Sequence, residues 1–250
     1  QGAWIFTSAT LGVKGDFGHF TSRLGLKPQT EMSLPSPFDY QSQARLCVPR
    51  YLPEPNSPGM ADKLVRMLSP LIEQNQGRCF FLCTSHSMMR ELGERFRECL
   101  SIPVLLQGET SKQKTLAEFM ELGNALLVAT GAFWEGIDVR GDTLSCVIID
   151  KLPFTAPDDP LLKARIEDCQ LKGGDPFSQV QIPDAVITLK QGVGRLIRDK
   201  KDKGALIICD NRLVTREYGG VFLASLPPIP RTRDLELVQD FLKQISETTE

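Results

Sequence analysis

A chain of 250 residues suits one large α/β domain or two small ones, and 41% hydrophobic with 24% charged residues is enough apolar material for a sizeable core. A net charge of −2 and a pI near 5.9 exclude a protein that coats duplex DNA through overall basicity, so any nucleic-acid contact must be local. No apolar run approaches the roughly 20 residues that cross a bilayer. The 7 scattered cysteines form no Cys-x-x-Cys pair and, with 2 histidines, argue against zinc and for reduced thiols in a cytoplasmic protein.

The chain starts at Gln1, without Met or a basic n-region, directly on an apolar run. That is the pattern of a segment from inside a longer protein rather than a secretory signal. Trp4–Phe6 is a weak strand candidate, followed by the hydroxyl-rich Thr7-Ser-Ala-Thr10, which suits a turn or a helix cap as well as a ligand. Residues 31–58 are proline-rich and almost without periodicity, a linker or irregular crossing segment holding one weak strand candidate, Leu46–Val48. From residue 59 to 250 the pattern changes. The short apolar runs Cys79–Cys83, Ala125–Ala129, Leu144–Ile149 and Ala205–Cys209 predict buried strands. Between them, Met60/Leu64/Leu68/Leu71, Met89/Leu92/Phe96/Leu100 and Leu116/Phe119/Met120 have helical spacing. A last helix is expected from about Asp234 to Ile245. Non-alternating strands separated by helices predict an α/β fold, a mainly parallel central sheet flanked by helices on both faces. Ligands of such sheets bind beyond the carboxyl ends of the strands, so the residues after each strand are the first candidates.

The segment Gln191-Gly-Val-Gly-Arg-Leu-Ile-Arg198 carries the strongest chemistry. Pro183 fits a helix start, and at about 100° per residue Gln191, Arg195 and Arg198 fall on one face opposite Val186, Leu189 and Val193. Gly194 borders that face and leaves room for a close approach. Two guanidiniums so placed want an anion between them, and arginine grips phosphate bidentately. The competing reading is a solvated basic face beside Asp199 and Asp202. The second segment runs from a buried strand through Thr130 into a loop with Gly131, Phe133, Trp134, Glu135, Gly136 and Asp138. Its glycines let amides approach a phosphate, Asp138 can accept from a ribose hydroxyl, and an aromatic ring can stack on a base. Thr84 and Ser85 follow another strand and serve first as a helix cap, although a helix N-terminus also binds phosphate.

Together these segments resemble superfamily 2 helicases, most closely the DinG/XPD branch of 5′–3′ DNA helicases and its YoaA-type bacterial members. Thr7–Thr10 resembles motif III, Phe80–Ser85 motif IV, Thr130–Asp138 motif V and Gln191–Arg198 motif VI, in the family's order. Lys151-Leu-Pro-Phe154 is similar to the segment that follows motif V. The resemblance implies a RecA-like domain over residues 59–250, with residues 1–30 ending a first motor domain. It makes Arg195 and Arg198 arginine fingers, with Gln191 positioning the nucleotide or water. It places Glu135, Gly136, Asp138 and Gly194 at the nucleotide, and Thr84, Ser85, Thr130 and Trp134 on single-stranded DNA. Thr7, Ser8 and Thr10 would couple hydrolysis to the strand grip. The implied cofactors are ATP with Mg, bound mainly by the first motor domain, and a 4Fe–4S cluster in the full-length protein only. No phosphate-binding loop and no Asp-Glu-x-His box occur here, so this chain alone is expected to be inactive. The rival readings are a motor acting on RNA or duplex, and a non-catalytic α/β nucleotide or nucleic-acid binding module.

Overall fold

The computed structural model describes residues 4–27, 30–133 and 143–249. The buried apolar runs become the strands of one sheet: β1 (Ala44–Cys47), β2 (Cys79–Leu82), β3 (Val104–Leu106), β4 (Leu126–Ala129), β5 (Cys146–Ile149), β6 (Gly204–Ile208) and β7 (Arg231–Thr232). Their order is β3-β4-β2-β5-β6-β1-β7, and every neighbouring pair is parallel. The helices are α1 (Gly18–Arg23), α2 (Tyr40–Gln43), α3 (Met60–Gln74), α4 (His86–Cys99), α5 (Lys112–Leu122), α6 (Pro160–Leu171), α7 (Ile182–Val193), α8 (Arg212–Thr215), α9 (Gly219–Ser225) and α10 (Leu235–Thr249). None of the described helices is long and apolar enough to cross a membrane.

Successive strand residues point to opposite faces, and both faces are covered. Phe81, Ile148 and Ile207 pack in one apolar layer with Leu64 and Leu68 of α3, Leu92 and Phe96 of α4, and Val238 and Leu242 of α10. Phe80, Val147 and Leu206 pack in the other with Phe119 of α5, Val186 and Leu189 of α7, and Phe222 of α9. The central rings meet helix rings on both sides: Phe81 lies 5.7 Å from Phe96 and Phe80 lies 4.9 Å from Phe119, centroid to centroid. Such pairs add about 0.5–1.5 kcal/mol each beyond their burial. Gly77 turns the chain from α3 into β2 with φ +66°, and a Cβ there would lie 2.6 Å from the Ala125 carbonyl carbon. All seven cysteines are free thiols, Cys99 alone exposed.

One expectation needs correction. Trp4–Phe6 forms no strand: Trp4 is 88% and Ile5 86% exposed, and the run joins neither sheet edge, β3 or β7. Apolar character alone does not make a strand where no partner offers hydrogen bonds. Within the proline-rich segment 31–58, the strand candidate Leu46–Val48 overlaps β1, paired with β6 on one side and β7 on the other. The prolines flank the 44–47 run without interrupting it, so its ladder hydrogen bonds survive.

Candidate functional site

The buried stripe Ala185, Val186, Leu189 and Val193 fixes α7 on the sheet, and Pro183 lies in its first turn. The helix does not continue to Arg198 as the spacing predicts; it stops at Val193. Gly192 and Gly194 weaken it there. The Gly194 amide still donates to the Lys190 carbonyl at 2.9 Å, but those of Arg195 and Leu196 tighten to Gly192 and Val193, each at 3.1 Å. Beyond that turn the Asp202 carboxylate accepts the amides of Arg198 and Asp199, each at 2.8 Å. Gln191, Arg195 and Arg198 therefore lie on a helix end, a tight turn and a loop in succession, not on one helical face.

That helix end and turn open on a cleft of about 420 Å³. Gln191, Gly194 and Arg195 line it together with Thr10, Lys190 and Tyr40. The volume is within the usual range for small-molecule sites. No acidic side chain is among its described lining residues. Thr10 reaches it because the 4–27 segment docks on α7. Asp184, in the first turn of α7, accepts His19 Nε2 at 2.9 Å, lies 2.6 Å from Arg23 Nη2 and takes Arg165 Nη1 at 3.3 Å. Burial opposes ionisation of Asp184, but the His19 hydrogen bond and the Arg23 and Arg165 charges prevail and hold its carboxyl below the usual range. At the other end of α7, Lys190 Nζ donates to the Gly12 carbonyl at 2.9 Å across 178 residues of sequence. Burial pulls that ammonium below the usual lysine range. Ser8 Oγ accepts the Thr10 amide at 3.2 Å, and Thr7 and Ser8 are exposed outside the cleft lining.

Thr84, Ser85 and Thr130 stand at the opposite edge of the sheet. The α7 loop leads into the amino end of β6, whereas Thr84, Ser85 and Thr130 follow the carboxyl ends of β2 and β4. A strand rises about 3.3 Å per residue, so strands this short set the edges roughly 13–17 Å apart. No single phosphate touches both. Ser85 caps α4, its Oγ accepting the Met88 amide at 3.3 Å, a contact of about 1 kcal/mol. Thr130 is buried, and its amide donates to Gln107 Oε1 at 2.6 Å. The Thr84 amide donates to Asp150 Oδ1 at 3.0 Å and its hydroxyl to Oδ2 at 3.2 Å. Trp134, Glu135, Gly136 and Asp138 lie outside the described residues.

Asp150 was not singled out by its sequence, although an acid directly after a buried strand is a readable signal. Burial pushes its carboxyl from 3.8 to about 7, with the Lys151 charge and the Lys151 and Thr84 hydrogen bonds opposing. The folded chain thus holds a proton that the unfolded chain releases above about 4. This contribution to stability is full below pH 4 and is lost as pH rises through 7, amounting to roughly 4 kcal/mol. Asp150→Asn keeps an oxygen for both amides and turns its NH₂ to Thr84 Oγ1. It is expected to be more stable than the parent at pH 8 and to lose that advantage toward pH 4. Denaturant melts across that range check this; parallel pH slopes for the two proteins would show that the carboxyl titrates normally.

The model of the helicase C-terminal domain matches residues 68–229. The chain belongs to that family. Within it, the chain is 68% identical over 241 residues to the ATP-dependent DNA helicase YoaA of Escherichia coli (strain K12), covering 96% of this chain and 38% of that protein. It is 38% identical over 234 residues to the 3'-5' exonuclease DinG of Bacillus subtilis (strain 168), covering 89% of this chain and 25% of that protein. This helicase C-terminal domain also superposes on an apo XPD structure with a TM-score of 0.60 at 21% identity, over 78% of this chain and 40% of that one, which speaks for the shared RecA-like fold. The domain spans well under half the length of these relatives. Among its described residues no three His, Cys, Asp or Glu side chains gather into a group that could hold a metal ion.

Proposed function

We propose that this chain is the second RecA-like motor domain of an ATP-dependent 5′–3′ DNA helicase acting in DNA repair or replication, in the cytoplasm. The observation that carries the reading is the cleft in which Thr10 meets Gln191, Gly194 and Arg195. Motif III and motif VI residues converge there, beside the cationic Lys190 and Arg195. A first motor domain of the same polypeptide brings ATP and Mg to this cleft, and any 4Fe–4S cluster belongs to that other part. Water attacks the γ-phosphorus, the bond to the β-phosphate oxygen breaks, and ADP and phosphate leave. Gln191 orients the nucleotide or the water, and Arg195 and Arg198 stabilise the charge on the transferring phosphoryl group. At the carboxyl edge, the capped start of α4 at Ser85, with Thr84, Thr130 and Trp134, grips the backbone of single-stranded DNA without reading its sequence. Glu135, Gly136 and Asp138 complete the nucleotide contacts, and Thr7, Ser8 and Thr10 pass closure of the cleft to the strand grip.

The test is unwinding by the full-length enzyme of duplexes carrying a 5′ or a 3′ single-stranded tail, in DNA and in RNA. ATP-dependent separation of the 5′-tailed DNA duplex alone is expected. Preference for a 3′ tail overturns the polarity, and preference for an RNA tail overturns the substrate.

A further inference from the structure

The Arg198 loop is held by a residue that belongs to none of the motifs. Gln43 ends α2, immediately before β1, and is 4% exposed. Its Nε2 donates to two backbone carbonyls of the loop, Asp199 O at 3.0 Å and Asp202 O at 2.8 Å. The Asp202 carboxylate closes the same loop from within by accepting the Arg198 and Asp199 amides. The rest of α2 engages the cleft's other wall: Tyr40 lines it, and Gln41 Nε2 donates to the Pro228 carbonyl at 2.8 Å, beside lining residues Pro227 and Ile229. One helical turn therefore contacts both the Arg198 loop and the Pro227–Ile229 wall of the cleft. A buried amide that satisfies two carbonyls fixes the loop's path, because releasing it strands polar groups.

We infer that Gln43 is a positioning residue for phosphoryl transfer: it sets where Arg198 stands relative to the cleft. It also joins that loop to the chain segment leading in from residues 30–39, so a displacement of that segment moves the arginine loop. The inference rests on Arg195 and Arg198 facing the nucleotide. Side-chain volume is not the issue, since Met has nearly the same shape as Gln but lacks its amide, both the NH₂ that donates to the loop and the carbonyl oxygen.

In the full-length enzyme, Gln43→Met is expected to lower kcat by roughly 10- to 100-fold, as small misplacements of a catalytic group do. The KM for ATP and the affinity for ADP stay at the parent's values. Trapping of ADP with aluminium fluoride, which mimics the transferring phosphoryl group, weakens by the same factor. Combined with Arg198→Ala, the substitution adds no further loss, because both act through one group. Gln43→Asn keeps an amide but shortens its reach, retains the fold more readily, and gives a smaller loss of kcat with the same signature. A normal kcat in the folded variants overturns the inference, as does a defect confined to KM or one that multiplies fully with Arg198→Ala. If Arg198→Ala itself hydrolyses ATP normally, the arginine reading fails first; if that variant is dead while Gln43→Met is normal, only the role of Gln43 falls.

Discussion

Arg198→Ala in the full-length enzyme is expected to lower ATP hydrolysis by about 10³–10⁵-fold while leaving single-stranded DNA affinity unchanged. The size follows from where charge develops. A metaphosphate-like transition state spreads charge over its equatorial oxygens, and a preorganised guanidinium stabilises that charge without reorganising at the moment of reaction. The Arg198 amide is pinned by Asp202 at 2.8 Å, so the backbone under this side chain is fixed before any nucleotide arrives. Arg195, whose Nε donates to the Gln191 carbonyl at 3.1 Å, is held on the cleft wall itself. Arg195→Lys retains charge but not the planar fork and is expected to recover little activity. DNA affinity survives because the proposed strand grip is at the far edge of the sheet. Single-turnover hydrolysis and strand-binding titrations check both halves. Normal hydrolysis with lost DNA binding would assign Arg198 to the strand instead.

Strands β2, β4, β5 and β6 are legible in the sequence because burial on both faces removes every polar residue from them. Edge strand β3 is not, since Val104–Leu106 is three residues long and leans on α4, where a Cβ at Gly93 would lie 2.6 Å from Leu106 Cδ1. Strand β7, of two residues, offers no pattern at all. The end of α7 misleads for a physical reason: apolar Leu196 and Ile197 continue the helical period and are buried, yet they reach the core from a turn. Period reports burial, and burial does not require that the helix persist. Gln191, Gly194 and Arg195, which the sequence groups in one short segment, line one cleft because they are close neighbours along the chain. Lys190, Asp184 and Gln43 are not legible in the sequence, because each acts on a partner far away in sequence: Lys190 on Gly12, Asp184 on Arg23 and Gln43 on Asp199.

The largest stability effect is expected at Asp210, which is fully buried two residues beyond the end of β6. Its carboxylate accepts the Leu152 amide at 2.8 Å, the Arg212 amide at 3.0 Å and the Arg212 guanidinium, with Nη2 at 2.7 Å. Arg212 also lies 5.6 Å over the Phe154 ring, at the edge of the cluster Phe154, Phe177, Tyr218 and Phe222. Asp210→Ala removes the acceptor of two backbone amides and leaves a half-buried guanidinium without its carboxylate. Breaking a buried pair on one side costs about 3–5 kcal/mol, a large share of the 5–15 kcal/mol typical of a whole fold. For a chain of this size that is a fall in Tm of about 6–20 °C. Arg212→Leu is expected to cost a comparable amount, because the carboxylate then remains buried and unpaired. The double variant Asp210→Leu/Arg212→Leu should recover part of the loss, as apolar replacements of buried pairs do, but not all of it. The shortfall is the two amides at 152 and 212, which no leucine can satisfy. Thermal melts of the three variants decide this: full recovery in the double variant would make the pair a simple ion pair, and a loss in Asp210→Ala under about 1 kcal/mol would show that water replaces the carboxylate.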